Sequence, residues 1–353
     1  MTYLALLKSV DYGSFAVQNQ GQLPYRIDAL QDAGFALRFS DSRFRWPWND
    51  HRLNAIATRI GPILETISQF SAVWRSPVTL AMFESQGHLL ALLRSVVRPL
   101  RTRRLVIVAC WLADIAPSLS NRRRALYRRI YREVDLVVVF STNQRAILER
   151  ELDISAARIA VVPFGIDVSE FAQSTVSESG CVVAVGRDAG RDWPTFFTAV
   201  EGTEWDVKVA CRTRQVANLV VPREVGLLGY IERDRYRALL ASASVVVIAT
   251  QNRAYPTGQS VMLEAMSMGK ACVVTQTAAM AEYAIDEVNC LTVPLGDSDS
   301  LRTAISRLLA DDSLRQKIGN EARAHVEATF NARSMWQAIG ASINELAGAA
   351  QGR

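Results

Sequence analysis

At 353 residues and 49% hydrophobic content, the chain is too long for one small domain and suits two domains of about 150–180 residues, each with its own core. No apolar run reaches the ~18–20 residues of a membrane span, and Met1–Val10 is interrupted by Lys8, so it reads as a first strand and not a secretory leader. Residues 1–170 carry 22 Lys and Arg against 15 Asp and Glu and the rest 18 against 20, so the formal charge of +5 originates in the first half.

In chain order, short apolar runs alternate with helix-period stretches, the pattern of a parallel α/β sheet. Strands are predicted at Tyr3–Leu7, Phe35–Phe39, Val78–Met82, Leu105–Cys110, Leu136–Phe140 and Ile159–Pro163. Helices are predicted at Pro24–Ala33, Arg52–Phe70, His88–Val97, Arg122–Glu133 and Asn143–Leu152. The segment Arg43–Trp48 is a surface loop whose aromatic and basic side chains suit stacking on a sugar or lipid headgroup, or packing of its own tryptophans. Positive charge gathers in Arg98–Arg104 and Asn121–Arg132. In the second run Arg124, Arg128 and Arg132 form one stripe, and Leu126 and Ile130 another. Such an amphipathic basic helix suits an anionic lipid surface or an anionic acceptor, and equally a plain solvated face.

The alternation restarts after Phe164–Phe171, with strands at Val182–Val185, Asp206–Ala210, Val245–Ile248 and Cys272–Thr275 and helices at Asp192–Val200 and Glu232–Ser242. Ser174–Gly180 is small and polar and reads as an exposed linker. From Asp297 to Glu345 three helical segments follow with no strand between them. Two βα halves imply twin Rossmann-like domains facing a cleft, with ligands at the carboxyl ends of the strands. The cysteines (Cys110, Cys181, Cys211, Cys272, Cys290) are scattered and without CxxC spacing, as expected of buried thiols in a reducing, cytoplasmic setting. His51, His88 and His325 do not cluster with cysteines or acids, so no metal site is expected.

The segment Tyr255–Val274 is the most informative. Gly258, Gln259 and Ser260 mark a loop entering a helix, Val261, Met262, Ala265, Met266 and Met268 give that helix an apolar surface, and Gly269 ends it. A helix N-terminus after a glycine turn suits a phosphate. Glu264 is a lone carboxylate on this helix, placed to accept hydrogen bonds from a sugar diol. An ordinary βα unit with a surface Glu fits the same residues.

The segment resembles the nucleotide-sugar signature of family 4 retaining glycosyltransferases of the GT-B fold, Glu-Gly-Phe-Gly-x-x-x-x-Glu-Ala-Met-Ala-x-Gly-Lys-Pro-Val, with its second half at Leu263–Lys270 and Pro256 where the first Glu falls. Three further stretches match in order. Val161–Asp167 resembles the family's VPxGxD segment, Val185–Asp192 its VGRxxxxKG phosphate loop, and Leu228–Tyr230 with Tyr236–Ser244 its xGYxxxxxLxxxYxxAD stretch. The resemblance implies an acceptor domain at 1–168, a nucleotide-sugar domain at 169–330 and a C-terminal segment at 331–353, whose helix near Ser334–Leu346 crosses back to the first domain.

Transfer from a nucleotide sugar develops negative charge on the departing pyrophosphate, which calls for fixed cations and N–H donors. Arg187 and Arg191, four apart after a strand, are the candidate cations; a surface pair bonded to Asp188 and Asp192 is the alternative. By resemblance, Glu264 holds the ribose hydroxyls, Gly258 forms the turn, the N–H groups of Gln259, Ser260 and Val261 face the phosphates, and Tyr230 lies by the base. Gly13 alone matches the family's glycine loop after strand one. Many members carry a His where this chain reads Val108–Asp114, which leaves Trp111 or Asp114 as candidates, and Asp114 as the catalytic one. Glu84 and His88 are a second candidate pair.

The expectation is a cytoplasmic, retaining, hexosyltransferase-type enzyme that uses a UDP- or GDP-linked sugar, needs no cofactor, and acts on an acceptor the sequence does not name. Peripheral contact with an anionic membrane is one reading of the basic helix, and no nucleic-acid partner is expected. Another GT-B nucleotide-sugar enzyme such as an epimerase, a non-catalytic subunit, and a nucleic-acid-associated protein remain as alternatives.

Overall fold

The computed structural model describes residues 2–7, 24–38, 67, 70–173 and 178–351; Gly13, the Arg43–Trp48 loop and most of the predicted helix Arg52–Phe70 lie outside them. The chain divides into two compact units, Met1–Pro163 with Ala332–Arg353, and Phe164–Asn331.

In the first unit, β1 (Thr2–Leu7), β2 (Phe35–Arg38), β3 (Val78–Ala81), β4 (Arg104–Val108), β5 (Leu136–Val139) and β6 (Ile159–Val161) form one parallel sheet in the order β2-β1-β3-β4-β5-β6. Every residue of β3 and β5 is buried, which is why these strands read as unbroken apolar runs and not as alternating ones. The helices are α1 (Phe70–Arg75), α2 (Glu84–Val96), α3 (Arg98–Arg101), α4 (Leu112–Ile115), α5 (Asn121–Arg132) and α6 (Thr142–Leu152), with a 3-10 stretch at Pro24–Gln31. Two buried polar side chains tie the sheet to its helices. Arg94 of α2 pairs with Asp135 at 2.6 Å, and Asp135 also accepts the Leu105 N–H at 2.7 Å. Gln144 of α6 donates to the carbonyls of Ala109 and Cys110 at 3.3 and 3.0 Å and accepts the Phe140 N–H at 3.0 Å, which pins the loop after β4.

The basic run forms α5 as its periodicity requires, yet its arginine stripe is not all turned outward. Arg124 pairs with Glu151 of α6 at 3.3 Å, and Arg128 donates to the Glu151 carbonyl at 3.3 Å. Ile130 is buried and Leu126 exposed, so the two do not share one apolar face.

The last helix, α12 (Ala332–Gln351), belongs to the first unit although it follows the second in sequence. Trp336, buried, donates its indole N–H to the Tyr25 carbonyl at 2.7 Å, and Arg333 pairs with Asp32 at 2.7 Å. A Cβ at Gly340 would stand 2.4 Å from that of Ala33, so the glycine permits this close crossing.

The second unit repeats the plan. Strands β7 (Cys181–Gly186), β8 (Val207–Cys211), β9 (Val225–Leu227), β10 (Ala243–Ile248), β11 (Ala271–Thr275) and β12 (Leu291–Val293) form a parallel sheet in the order β12-β11-β10-β7-β8-β9. Its helices are α7 (Trp193–Val200), α8 (Arg233–Ser242), α9 (Gln259–Ser267), α10 (Ser298–Ala310) and α11 (Asp312–Thr329). Alternate residues serve the two faces: Val183, Val185, Val246 and Ile248 pack with Met262, Met266 and Val326, whereas Val182, Ala184, Val245 and Val247 pack with Phe196, Leu301 and Ile305. The edge strands β9 and β12, three residues each, are too short to stand out in the sequence. The expected boundary at 168 falls inside this unit, because the Ile166 N–H bonds the Phe330 carbonyl at 2.9 Å and Phe171 sits in its core. Among the described residues, no helix is long and apolar enough to cross a membrane.

Candidate functional site

Strand order in the second unit reverses at β7, which has β8 on one side and β10 on the other. Ligands of open parallel sheets bind beside such a switch point, beyond the carboxyl ends of the strands. The loops leaving β7 and β10 meet there. The Asp192 N–H bonds the Ala249 carbonyl at 3.0 Å, the Gln251 N–H bonds the Gly190 carbonyl at 2.8 Å, and Arg191 bridges Thr250. Asp188 organises the turn: its carboxylate accepts the Gly190 N–H at 2.8 Å and the Thr257 hydroxyl at 2.7 Å. Asp192 instead caps α7 through Thr195, so it does not neutralise the arginine pair.

Arg191 lies in a slot that two glycines leave open. A Cβ at Gly186 would come within 2.5 Å of its Cγ, and one at Gly258 within 2.5 Å of its Nη1. Gly258 also has φ +84°, a left-handed conformation that glycine adopts at no steric cost. The side chain is 3% exposed, and burial depresses its pKa, with Asp188 opposing that shift. Asp188 Oδ2 stands 3.4 Å from Nε, near enough for attraction but not aligned as a hydrogen bond; Nε and Nη1 are both buried without a hydrogen-bond partner. A buried cation with unmade hydrogen bonds is costly unless an anion completes it.

Gly258 is the N-cap of α9. The Gln259 N–H closes the turn on the Pro256 carbonyl at 3.3 Å, so it is not turned to a ligand as the signature implies; the Ser260 and Val261 N–H groups have no such partner among the described residues. The Gln259 side-chain Oε1 is buried and unpaired. Pro256 is buried and offers this turn only its carbonyl. Two turns on, the partly buried Glu264 accepts a hydrogen bond from the Tyr236 hydroxyl of α8. Desolvation pushes its carboxyl pKa up to about 7, against the Tyr236 bond and the charges of Arg233 and Arg187, which lower it. Arg187 is exposed, with its guanidinium 5.4 Å over the ring of Tyr230.

The second unit thus carries Arg187, Arg191, Tyr230, Gly258, Gln259, Ser260, Val261 and Glu264, the first pair reaching the others through loops that the sheet aligns. In the sequence Asp188 figures only as a partner of the arginine pair and Tyr236 only within a matching stretch, and Thr257 has no assigned role. The Asp-x-Gly spacing of Asp188 and Gly190 signals a turn, but nothing local signals that Thr257 closes it. In the first unit Asp114 lies in the first turn of α4, partly buried. Trp111 before it is 44% exposed and stacks on Phe83 at 5.5 Å. The second candidate pair is structural. The buried Glu84 carboxylate accepts the N–H groups of Trp111 and Leu112, holding α4 in place. His88 bonds the Tyr131 hydroxyl at 3.0 Å, and burial drops its pKa to about 4, so it is neutral at physiological pH.

The complete fold is GT-B, two Rossmann-like parallel-sheet domains. It superposes on sucrose-phosphate synthase from Thermosynechococcus elongatus with a TM-score of 0.75 at 18% identity, covering 99% of this chain and 100% of that one. It superposes on Anabaena HepE in complex with UDP-glucose with a TM-score of 0.69 at 15% identity, covering 98% and 100%. In sequence, residues 198–311 match the family described as Glycosyl transferases group 1. An uncharacterized glycosyltransferase of Methanocaldococcus jannaschii is 34% identical over 113 residues, 32% of this chain and 28% of that protein.

Proposed function

We propose that the protein is a glycosyltransferase that moves a hexosyl group from a nucleoside diphosphate sugar to an acceptor, with retention of anomeric configuration. The observation that carries the reading is Arg191, a buried guanidinium with unmade hydrogen bonds beside the N-terminus of α9, at the switch point of a Rossmann-like sheet. A pyrophosphate there completes Arg191 and takes the N–H groups of Ser260 and Val261, with Arg187 at its outer side and Glu264 on the ribose hydroxyls. In the reaction the bond from C1 to the β-phosphate oxygen breaks as the acceptor oxygen bonds C1 from the same face. The acceptor's proton passes to the departing phosphate oxygen, and the cations stabilise the charge that develops on it. Uridine is the first base to test, because HepE is bound to UDP-glucose.

The test pairs two variants. Arg187→Ala should lower turnover ~10²-fold or more with the fold intact, since losing one such donor typically costs about 3 kcal/mol. Arg191→Met should keep the fold, because Asp188 retains Gly190 and Thr257 as hydrogen-bond partners, while weakening UDP-glucose or GDP-mannose binding by a similar factor through loss of the guanidinium whose Nε and Nη1 make no hydrogen bond among the described residues. Undiminished binding and turnover in both would overturn the assignment. NMR of the product anomer decides retention.

A further inference from the structure

We propose that Tyr236 is a positioning residue of the donor site, whose phenol holds the Glu264 carboxylate oriented and ionised so that it accepts hydrogen bonds from the donor's ribose hydroxyls. This rests on the reading of the site as a nucleotide-sugar pocket and adds a residue that the resemblance does not supply. The family stretch quoted above has Leu at this place and Tyr four residues later; here the order is Tyr236 and Leu240.

Tyr236 stands one turn into α8, its ring edge-on to Phe171 with centroids 6.1 Å apart, so packing sets the ring and hence the hydroxyl. The hydroxyl donates to Oε2 of Glu264, while Oε1 accepts no hydrogen bond among the described residues. One oxygen is anchored and the other is open to a ligand hydroxyl. The charged groups that act on this carboxyl are Arg233 on α8, Glu170 in the segment before Phe171, and Arg187 after β7; Arg191 acts on Tyr236. Arg233 is paired with Glu170, which weakens its pull on Glu264. The other elements packed on α9 contribute Val246, Ile248, Val274, Ala322 and Val326 to a shared apolar core. Among the described residues, Tyr236 is therefore the one neutral donor bonded to a carboxyl that burial otherwise drives toward its protonated form. A protonated Glu264 loses acceptor capacity, and ribose recognition with it.

The decisive measurement is UDP-glucose affinity by calorimetry between pH 5.5 and 9 on wild type, Tyr236→Phe and Glu264→Gln. UDP-glucose suits the purpose because its doubly esterified pyrophosphate keeps a constant charge over this range. Wild-type affinity should rise as pH passes through about 7, where Glu264 ionises. Tyr236→Phe keeps the ring packing but removes a bond to the charged form. Its midpoint should move up by about one pH unit, so that affinity falls about fivefold at pH 7, approaches a tenfold loss toward pH 5.5, and returns toward the wild-type value by pH 9. Glu264→Gln should be flat and weak. An unshifted midpoint, with or without a uniform loss, overturns the inference.

A ligand-free series separates this result from failure of the donor reading. Folding raises the carboxyl pKa from 4.5 to about 7, so Glu264 contributes stability below pH 4.5 that is lost as pH rises to about 7. In Tyr236→Phe that decline in melting temperature should extend to higher pH. If no protein binds UDP-glucose or GDP-mannose, the donor reading fails; if Tyr236→Phe melts like wild type at every pH, the inference fails by itself.

Discussion

Arg191 and Gly258 show how single residues shape this site. The guanidinium is held in a slot closed by Gly186 below and Gly258 beside it, with two nitrogens unbonded. The slot exists because neither glycine has a Cβ. Replacing Gly258 by Ala places a methyl group 2.5 Å from Nη1 and 2.6 Å from Cγ2 of Ile248, at a φ that L side chains rarely adopt. We expect Gly258→Ala to destabilise the second unit by about 1–3 kcal/mol, read as a lower melting temperature, and to abolish nucleotide binding because Arg191 must move. A variant that melts and binds like wild type would mean that the slot is not needed.

The basic helix α5 is decided at the level of the element. Its arginines recur every fourth residue, but α6 supplies Glu151, and that carboxylate and carbonyl draw Arg124 and Arg128 inward. The exposed cations are Arg122, Arg123, Arg129 and Arg132. If this helix meets an anionic lipid surface, those four carry the contact. Changing them together to Gln should remove binding to phosphatidylserine vesicles and leave hydrolysis of UDP-glucose unchanged, and the wild-type binding should weaken sharply as salt is raised toward physiological strength. Changing Arg124 and Arg128 instead should lower stability, since α5 then loses its bonds to the carboxylate and carbonyl of Glu151, which keeps its pair with Arg150. Equal affinity for neutral and anionic vesicles would identify the helix as a solvated face.

Across the whole molecule, the first unit is completed by the end of the chain. Trp336, Met335, Ile339 and Ile343 of α12 are buried in that unit, and the indole N–H closes on a carbonyl more than three hundred residues earlier. Trp336→Ala should destabilise the first unit by about 3–5 kcal/mol, the usual cost of such a cavity. Limited proteolysis should then cut the first unit while a fragment near 164–331 survives, because the second unit has its own sheet and core. Simultaneous loss of both units would show that they fold as one.

The sequence alone determined the alternation of apolar runs and helical periods, and hence two parallel-sheet domains, because burial of both faces makes such strands uniformly apolar. It also placed Arg187 after a strand and Glu264 on a glycine-capped helix, since both rest on local spacing. The tertiary structure decided the rest. The sequence leaves Arg191 open between a phosphate cation and a surface ion pair until the loops after β7 and β10 enclose it, and it gives Tyr236 no role until α8 brings its hydroxyl to Glu264. His88 and Glu84 look catalytic until their partners prove to be Tyr131 and the backbone of α4. Whether a polar side chain is buried, paired or open depends on groups distant in sequence, and local periodicity carries no record of them.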